Sequence, residues 1–227
     1  GNRSIIKIST GKSIFDAIQN FSKNNSTIVD FSHTKTIILS KNLCESKVCE
    51  VMDYLNRNRE IRSINWILVA NKTAREILES KIPGEDTTSM GITNMMERFK
   101  KDPSILPVTL NTFIIESKKE SKTSFAPVIE LKNSKDNTGG KIIIEKTAIF
   151  KNNRLIGTLT NEESKNLLWL IDYSKGHMVI FLDKLMKNNE NITADIFKKS
   201  NKIIPHITGD KVNIEIILLD FLKKSAV

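Results

Sequence analysis

Two cysteines are all that 227 residues offer, and Cys44 and Cys49 stand five apart on what reads as one helix. At that spacing side chains project in different directions and hold their Cα atoms poorly for an S–S bond, so no disulfide-stapled scaffold is announced. Aromatic residues make up only 6% of the chain, and its basic residues are not interleaved with the stacking rings of a single-strand nucleic-acid groove. No apolar run is long enough to span a bilayer, and no charged-then-apolar secretory start is present. Nucleophile elbows, zinc-protease helices and glycine-rich dinucleotide loops are missing. The three histidines, His33, His177 and His206, have no His, Cys or carboxylate at ligand spacing. A zinc site needs several convergent ligands, so structural or surface roles are expected, with no metal and no cofactor.

What the chain does have is enough apolar residue, 39%, to bury a core over one or two domains. Its formal charge of +9 would permit contact with nucleic acid or an anionic membrane. The Lys and Asn that carry this character are spread along the whole chain, which suits a solvated basic surface better than a nucleic-acid stripe.

Along the chain, residues 4–8 alternate as a short strand, and residues 13–21 follow as a helix with Ile14, Ala17, Ile18 and Phe21 on one face. Ser13 and Asp16 make a capping box there. Gly11-Lys12-Ser13 imitates a phosphate-binding loop, but that motif needs a glycine five residues earlier, where Ile6 stands. A capped helix start explains the same residues. Residues 36–39 read as a strand, and Val48, Val51, Met52 and Leu55 as a helix stripe. Residues 64–70 (INWILVA) read as a strand covered on both faces, followed by a helix through Ala74, Ile77 and Leu78 and a short one over 92–99. Such alternation implies a mixed sheet with helices packed on it. Phe113 to Ile115 fit a strand or a helix end, residues 118–124 a polar loop, 128–131 an extended run and 136–140 a turn.

Residues 147–170, TAIFKNNRLIGTLTNEESKNLLWL, are the most specific stretch. Two β-prone runs flank Lys151-Asn152-Asn153-Arg154 as in a hairpin. Thr160 then caps a helix with Glu162 and Glu163 in its first turn, and Leu167, Leu168, Trp169 and Leu170 imply a mostly buried helix end. Two glutamates adjacent on one helix cannot face each other across a substrate. This stretch resembles the signature of the C-subunit lipoproteins of spore germinant receptors, the Ger(x)C family. Residues 11–21 (GKSIFDAIQNF), 31–43 (FSHTKTIILSKNL) and 54–78 (YLNRNREIRSINWILVANKTAREIL) resemble further pieces of that family, in family order over residues 11–183.

The resemblance implies a non-enzymatic receptor subunit working with A and B membrane subunits in nutrient-triggered germination, as scaffold or signal transmitter. It further implies a signal peptide and lipid-bearing cysteine outside this chain, and a place on the outer face of the spore inner membrane. His33 falls in the family's histidine-containing strand segment, where a structural hydrogen bond to backbone is expected. The fold class is α+β: a mixed-sheet domain over residues 1–105, a smaller hairpin-and-helix domain over 106–183 that includes a strand at 178–182, and residues 184–227 as the start of a third. In that tail Ile192, Ala194 and Ile196, then Val212, Ile214, Ile216 and Leu218, alternate around Thr208-Gly209-Asp210-Lys211 as a hairpin. An isolated hairpin is marginal in water and its exposed edge invites pairing, so the segment is expected to pack on its own body, to swap or self-associate, or to be poorly ordered.

Arg57, Arg59, Glu60 and Arg62 cluster between a helix and a buried strand. A solvated turn is the plain reading. A partner-contact patch is the sharper one, because connections carry function more often than packed faces do. The competing class for the whole chain is a soluble basic module that binds nucleic acid or a cell-wall polyanion, which salt would weaken steeply.

Overall fold

A computed structural model describes residues 5–24, 29–46, 48–101, 104–133, 140–171, 179–181, 193–208 and 211–224. In chain order, α1 (Ile14–Asn24) is followed by β1 (Thr36–Ser40), α2 (Lys41–Ser46), α3 (Val48–Arg57) and β2 (Trp66–Ala70). Then come α4 (Ala74–Glu79), α5 (Thr88–Lys101), α6 (Leu110–Lys118), β3 (Thr123–Asn133), β4 (Gly140–Lys151), β5 (Arg154–Leu159) and α7 (Asn161–Leu170). The last elements are β6 (Val179–Phe181), β7 (Thr193–Thr208) and β8 (Lys211–Lys224). The α+β class expected from the sequence is what the chain adopts.

One mixed sheet runs in the order β1-β2-β3-β4-β5, parallel through β3 and antiparallel from there on. Each parallel step requires a crossover, which α2–α3 and then α4–α6 supply. All five residues of β2 are buried. Ile67 and Val69 face one core with α2, α3, α6 and α7, while Trp66, Leu68 and Ala70 face a second core with α4 and α5. Strand β4 crosses from one core to the other. Its Ile142 and Ile144 belong to the second core and its Ala148 and Phe150 to the first, although all four positions are even. The switch is made by a bulge: Val128 pairs with Lys146 and Ile129 with Ile144, which leaves Glu145 as the extra residue. Beside it, Lys146 Nζ lies 2.9 Å from Oε1 of the buried Glu130.

The β4–β5 hairpin forms as the sequence implies. Asn152 and Asn153 take φ of 51° and 56°, the paired left-handed conformation that a two-residue turn needs and that Asn tolerates. The Thr160 hydroxyl accepts from Glu163 N at 3.3 Å while the Glu163 carboxylate accepts from Thr160 N at 2.8 Å, a complete capping box. The end of α7 is less buried than its apolar run suggests. Ser164 and Leu168, one turn apart, are fully buried, whereas Leu167 is half-buried and Leu170 exposed.

Other expectations shift. Residues 5–10 form no strand; they run back along α1, where the Ser9 hydroxyl donates to Ala17 O at 2.6 Å and Asn20 Nδ2 to Thr10 O at 3.1 Å. Cys44 and Cys49 lie on α2 and α3, not on one helix, and both are free thiols, Cys44 buried and Cys49 exposed. Phe113 to Ile115 belong to a helix. Val179–Phe181 pairs antiparallel with β7, so the strand expected to join the second domain sits in a separate sheet, β6-β7-β8. β7 and β8 pair from Ala194↔Lys224 to Thr208↔Lys211. Residues 134–139, His177, Ile192, Gly209 and Asp210 lie outside the described residues. The five-stranded sheet runs across residue 105, with β1 and β2 on one side of it and β3 to β5 on the other.

Two outcomes follow from this packing. Phe113 and Phe150, both fully buried, meet edge to face at 5.0 Å and tie α6 to β4. Phe150→Ala should lower stability by about 3–5 kcal/mol, read as the shift of a urea unfolding midpoint. A loss under about 1 kcal/mol would mean that the core repacks freely around the missing ring. The Thr160 backbone N–H, and then its hydroxyl, hold the Glu163 carboxyl below the ordinary glutamate range. A lowered folded-state value contributes stability above the unfolded value, and that contribution disappears as pH falls through the lowered one. Glu163→Gln should therefore cost most near neutral pH and converge on the parent in acid; a difference that widens on acidification would contradict this cap.

Candidate partner-facing surface

The turn between α3 and β2 is held from several sides. Asn58 closes the helix: its N–H donates to Tyr54 O at 3.1 Å, its side chain donates to Tyr54 Oη at 3.1 Å, and its Oδ1 accepts from Glu60 N at 2.9 Å. Ile61, buried, anchors the turn to the first core. Beyond it Asn65 N donates to Arg62 O at 3.1 Å, and the carbonyls of Ser63 and Asn65 accept from the first N–H groups of α6 at 2.9 and 2.8 Å. The start of α6 and the entry to β2 are thus fixed together.

All four sequence-selected residues, Arg57, Arg59, Glu60 and Arg62, lie exposed on this turn. Two of them are engaged locally. Arg57 Nε sits 2.9 Å from Asp53 Oδ1 along α3, and the Glu60 carboxylate accepts from Phe31 N at 3.3 Å. Arg59 and Arg62 have no ion-pair partner among the described residues. The cluster therefore divides into Arg57, paired along its own helix, Glu60, bonded to the segment before β1, and two guanidinium groups without an ion-pair partner among the described residues.

Next to the turn lies a cleft of about 560 Å³ that sequence reasoning missed. Strands β2 and β3 pair only from Val69↔Val128 onward; before that point β2 is bonded instead by the segment ahead of α6, with Ile67 N donating to Val108 O at 3.0 Å. Where the strands part, Trp66, Leu106, Pro107 and Phe125 form an apolar floor, with Glu97, Lys100, Glu116 and Lys119 on the walls. Ile64, expected inside the strand, stands at the mouth with 66% exposure because β2 begins two residues later. No local pattern could have marked this cleft, since its lining comes from turns, helices and strand ends up to a hundred residues apart.

The remaining candidates are less organised. His33 is exposed in the turn before β1, and its ring makes no hydrogen bond among the described residues, so the expected backbone bond is not seen. It borders a shallow cavity of about 480 Å³ with Thr36, Ser89 and Thr93. His206 Nε2 lies 3.0 Å from Glu215 Oε2 across β7 and β8. Burial pushes the Cys44 thiol up to about 12, which makes it a poor nucleophile. Among the described residues no group of three His, Cys, Asp or Glu side chains converges as a metal site, and no helix is long and apolar enough to cross a membrane.

Comparison with known proteins assigns this architecture. Residues 1–131 match the spore germination protein N-terminal domain, and residues 145–219 match the spore germination B3/GerAC-like C-terminal domain. Of curated proteins from Bacillus subtilis (strain 168), YfkR is 27% identical over 168 residues, 73% of this chain and 43% of its own length. Spore germination protein B3 is 24% identical over 207 residues, 89% of this chain and 53% of its own length. The chain thus spans about half the length of the curated relatives it matches. The crystal structure of the GerBC protein aligns with a TM-score of 0.55 at 20% identity, covering 92% of this chain and 59% of that one, a likeness of fold. The N-terminal match ends within β3 and the C-terminal match begins within β4, its hydrogen-bonded neighbour. With both matches in order along one sheet and its following hairpin, the chain belongs to the spore germination protein family of the B3/GerAC type.

Proposed function

We propose that this chain is the body of a non-enzymatic lipoprotein subunit of a nutrient germinant receptor. In this reading it acts beside A and B membrane subunits, as a scaffold or as a part that transmits the germinant signal. It would be lipid-anchored on the outer face of the spore inner membrane through a segment outside this chain. The two family matches, in order along the chain, are the observation that carries the reading. The geometry of the α3–β2 turn supports a partner contact there. A turn braced by backbone bonds loses little entropy when it docks, and two guanidinium groups with nothing to hold can serve carboxylates of another subunit. The apolar cleft beside them would add area without a change of fold. The β7–β8 hairpin is a second contact candidate, since β8 is an edge strand and Ile203 and Ile214 are exposed on it and its neighbour; self-association would use that edge.

Reversing Arg59 and Arg62 together to Glu should reduce copurification with A- and B-type membrane subunits while moving the unfolding free energy by less than about 0.5 kcal/mol. Arg57→Glu alone should have the smaller effect on assembly, because Asp53 already occupies that side chain. Undiminished copurification of the double variant would remove this turn from the interface.

A further inference from the structure

Among the described residues, four of the thirteen large apolar side chains left in water fall close together at the start of the chain. Ile5, Ile6, Ile8 and Phe15 are 73%, 43%, 60% and 61% exposed within eleven residues of chain. They belong to the strap of residues 5–10 and to the first turn of α1, which the Ser9 and Asn20 bonds hold together. Lys7 adds to this closure, its Nζ lying 5.2 Å from the centre of the Phe21 ring. On its other side α1 is attached to the body through Ile14, which packs on the first core. The exposed residues are therefore carried on a fixed element.

The segment that carries them is net basic. Residues 5–24 contain Lys7, Lys12 and Lys23 against a single carboxylate, Asp16, and that carboxylate accepts a hydrogen bond from Lys12 N at 2.8 Å. Apolar side chains flanked by lysines match the boundary of a bilayer that bears anionic headgroups, where isoleucine and phenylalanine enter the acyl edge and ammonium groups meet phosphates. A shaped protein partner is the poorer fit, since no residue of the strap or of α1 lines the clefts described above.

We infer that the strap and the first turn of α1 form a membrane-contact surface that seats the body of the protein on an anionic lipid bilayer. The contact is made by this chain's own side chains and adds to whatever anchor the whole protein carries. A second attachment of this kind would fix the orientation of the body on the bilayer as well as add to its hold. The inference rests on the membrane-side placement proposed above, and it can fail separately from it.

The unlipidated 227-residue chain is mixed with vesicles of phosphatidylglycerol and phosphatidylcholine in equal parts, and with vesicles of phosphatidylcholine alone, and the bound fraction is read by flotation. Binding is expected on the anionic vesicles, weaker on the zwitterionic ones, and reduced by added salt. Replacing Ile5, Ile8 and Phe15 together by Ser should reduce the partition coefficient about tenfold or more, and Lys12→Glu with Lys23→Glu should do the same only on anionic vesicles. Circular dichroism of both variants should match the parent, since every altered side chain is exposed. Absence of vesicle binding, or binding that the Ser variant leaves unchanged, would overturn the inference, and a strap that meets a protein instead would give the first of these. Fractionation of spores reads the membrane-side placement on its own. A native protein found away from the membrane refutes that placement whatever the vesicles report.

Discussion

Burial of β2 on both faces is the constraint on which the rest of the structure depends. Five consecutive apolar residues in an extended strand put side chains alternately above and below the sheet, so neither face can be left to water. The Ile67, Leu68 and Val69 side chains each contribute roughly 1.5–3 kcal/mol when fully buried. Helices α2 and α3 answer one face and α4 and α5 the other, and the crossovers that carry them are what make β1, β2 and β3 parallel.

The two cores so formed are then joined by β4. A regular strand would keep its even positions on one face throughout, and the bulge at Glu145 breaks that rule. Below the bulge β4 completes the α4–α5 core; above it Phe150 completes the other and meets Phe113 of α6. Because the two family matches divide between β3 and β4, the seam between them is a ladder of backbone hydrogen bonds, not a linker. The turn at residues 58–65 sits at the same end of the sheet as the parting of β2 and β3, so a contact made there bears on the start of β2 and the start of α6 together.

The elements that could be read directly were those whose information is local. The stripe Val48, Val51, Met52 and Leu55, the apolar run of β2, the Asn-Asn turn and the Thr160–Glu163 cap each need only a few neighbouring residues, and each takes its expected form. Where expectation and structure part, a distant segment decided the outcome. Ile64 leaves the strand because the turn is bonded to α6, residues 5–8 are drawn along α1 and not into a sheet, and β6 finds its partner in β7. The exposed arginines were visible as a cluster, and the Asp53–Arg57 pair lies within one helix turn; the bond of Glu60 to Phe31 N was not legible, because it joins residues 29 apart.

The sequence by itself determined the α+β class, the family and the identity of the turn, since periodicity, capping and motif order are carried by residues close together in the chain. Only the tertiary structure decided that one sheet runs through from β1 to β5, that a bulge exchanges the faces of β4, and that a cleft opens beside the arginine turn. The reason is physical: register, splay and side-chain exposure are set by contacts between residues far apart in sequence. The free energies that choose among such contacts belong to the packed whole and to no single segment.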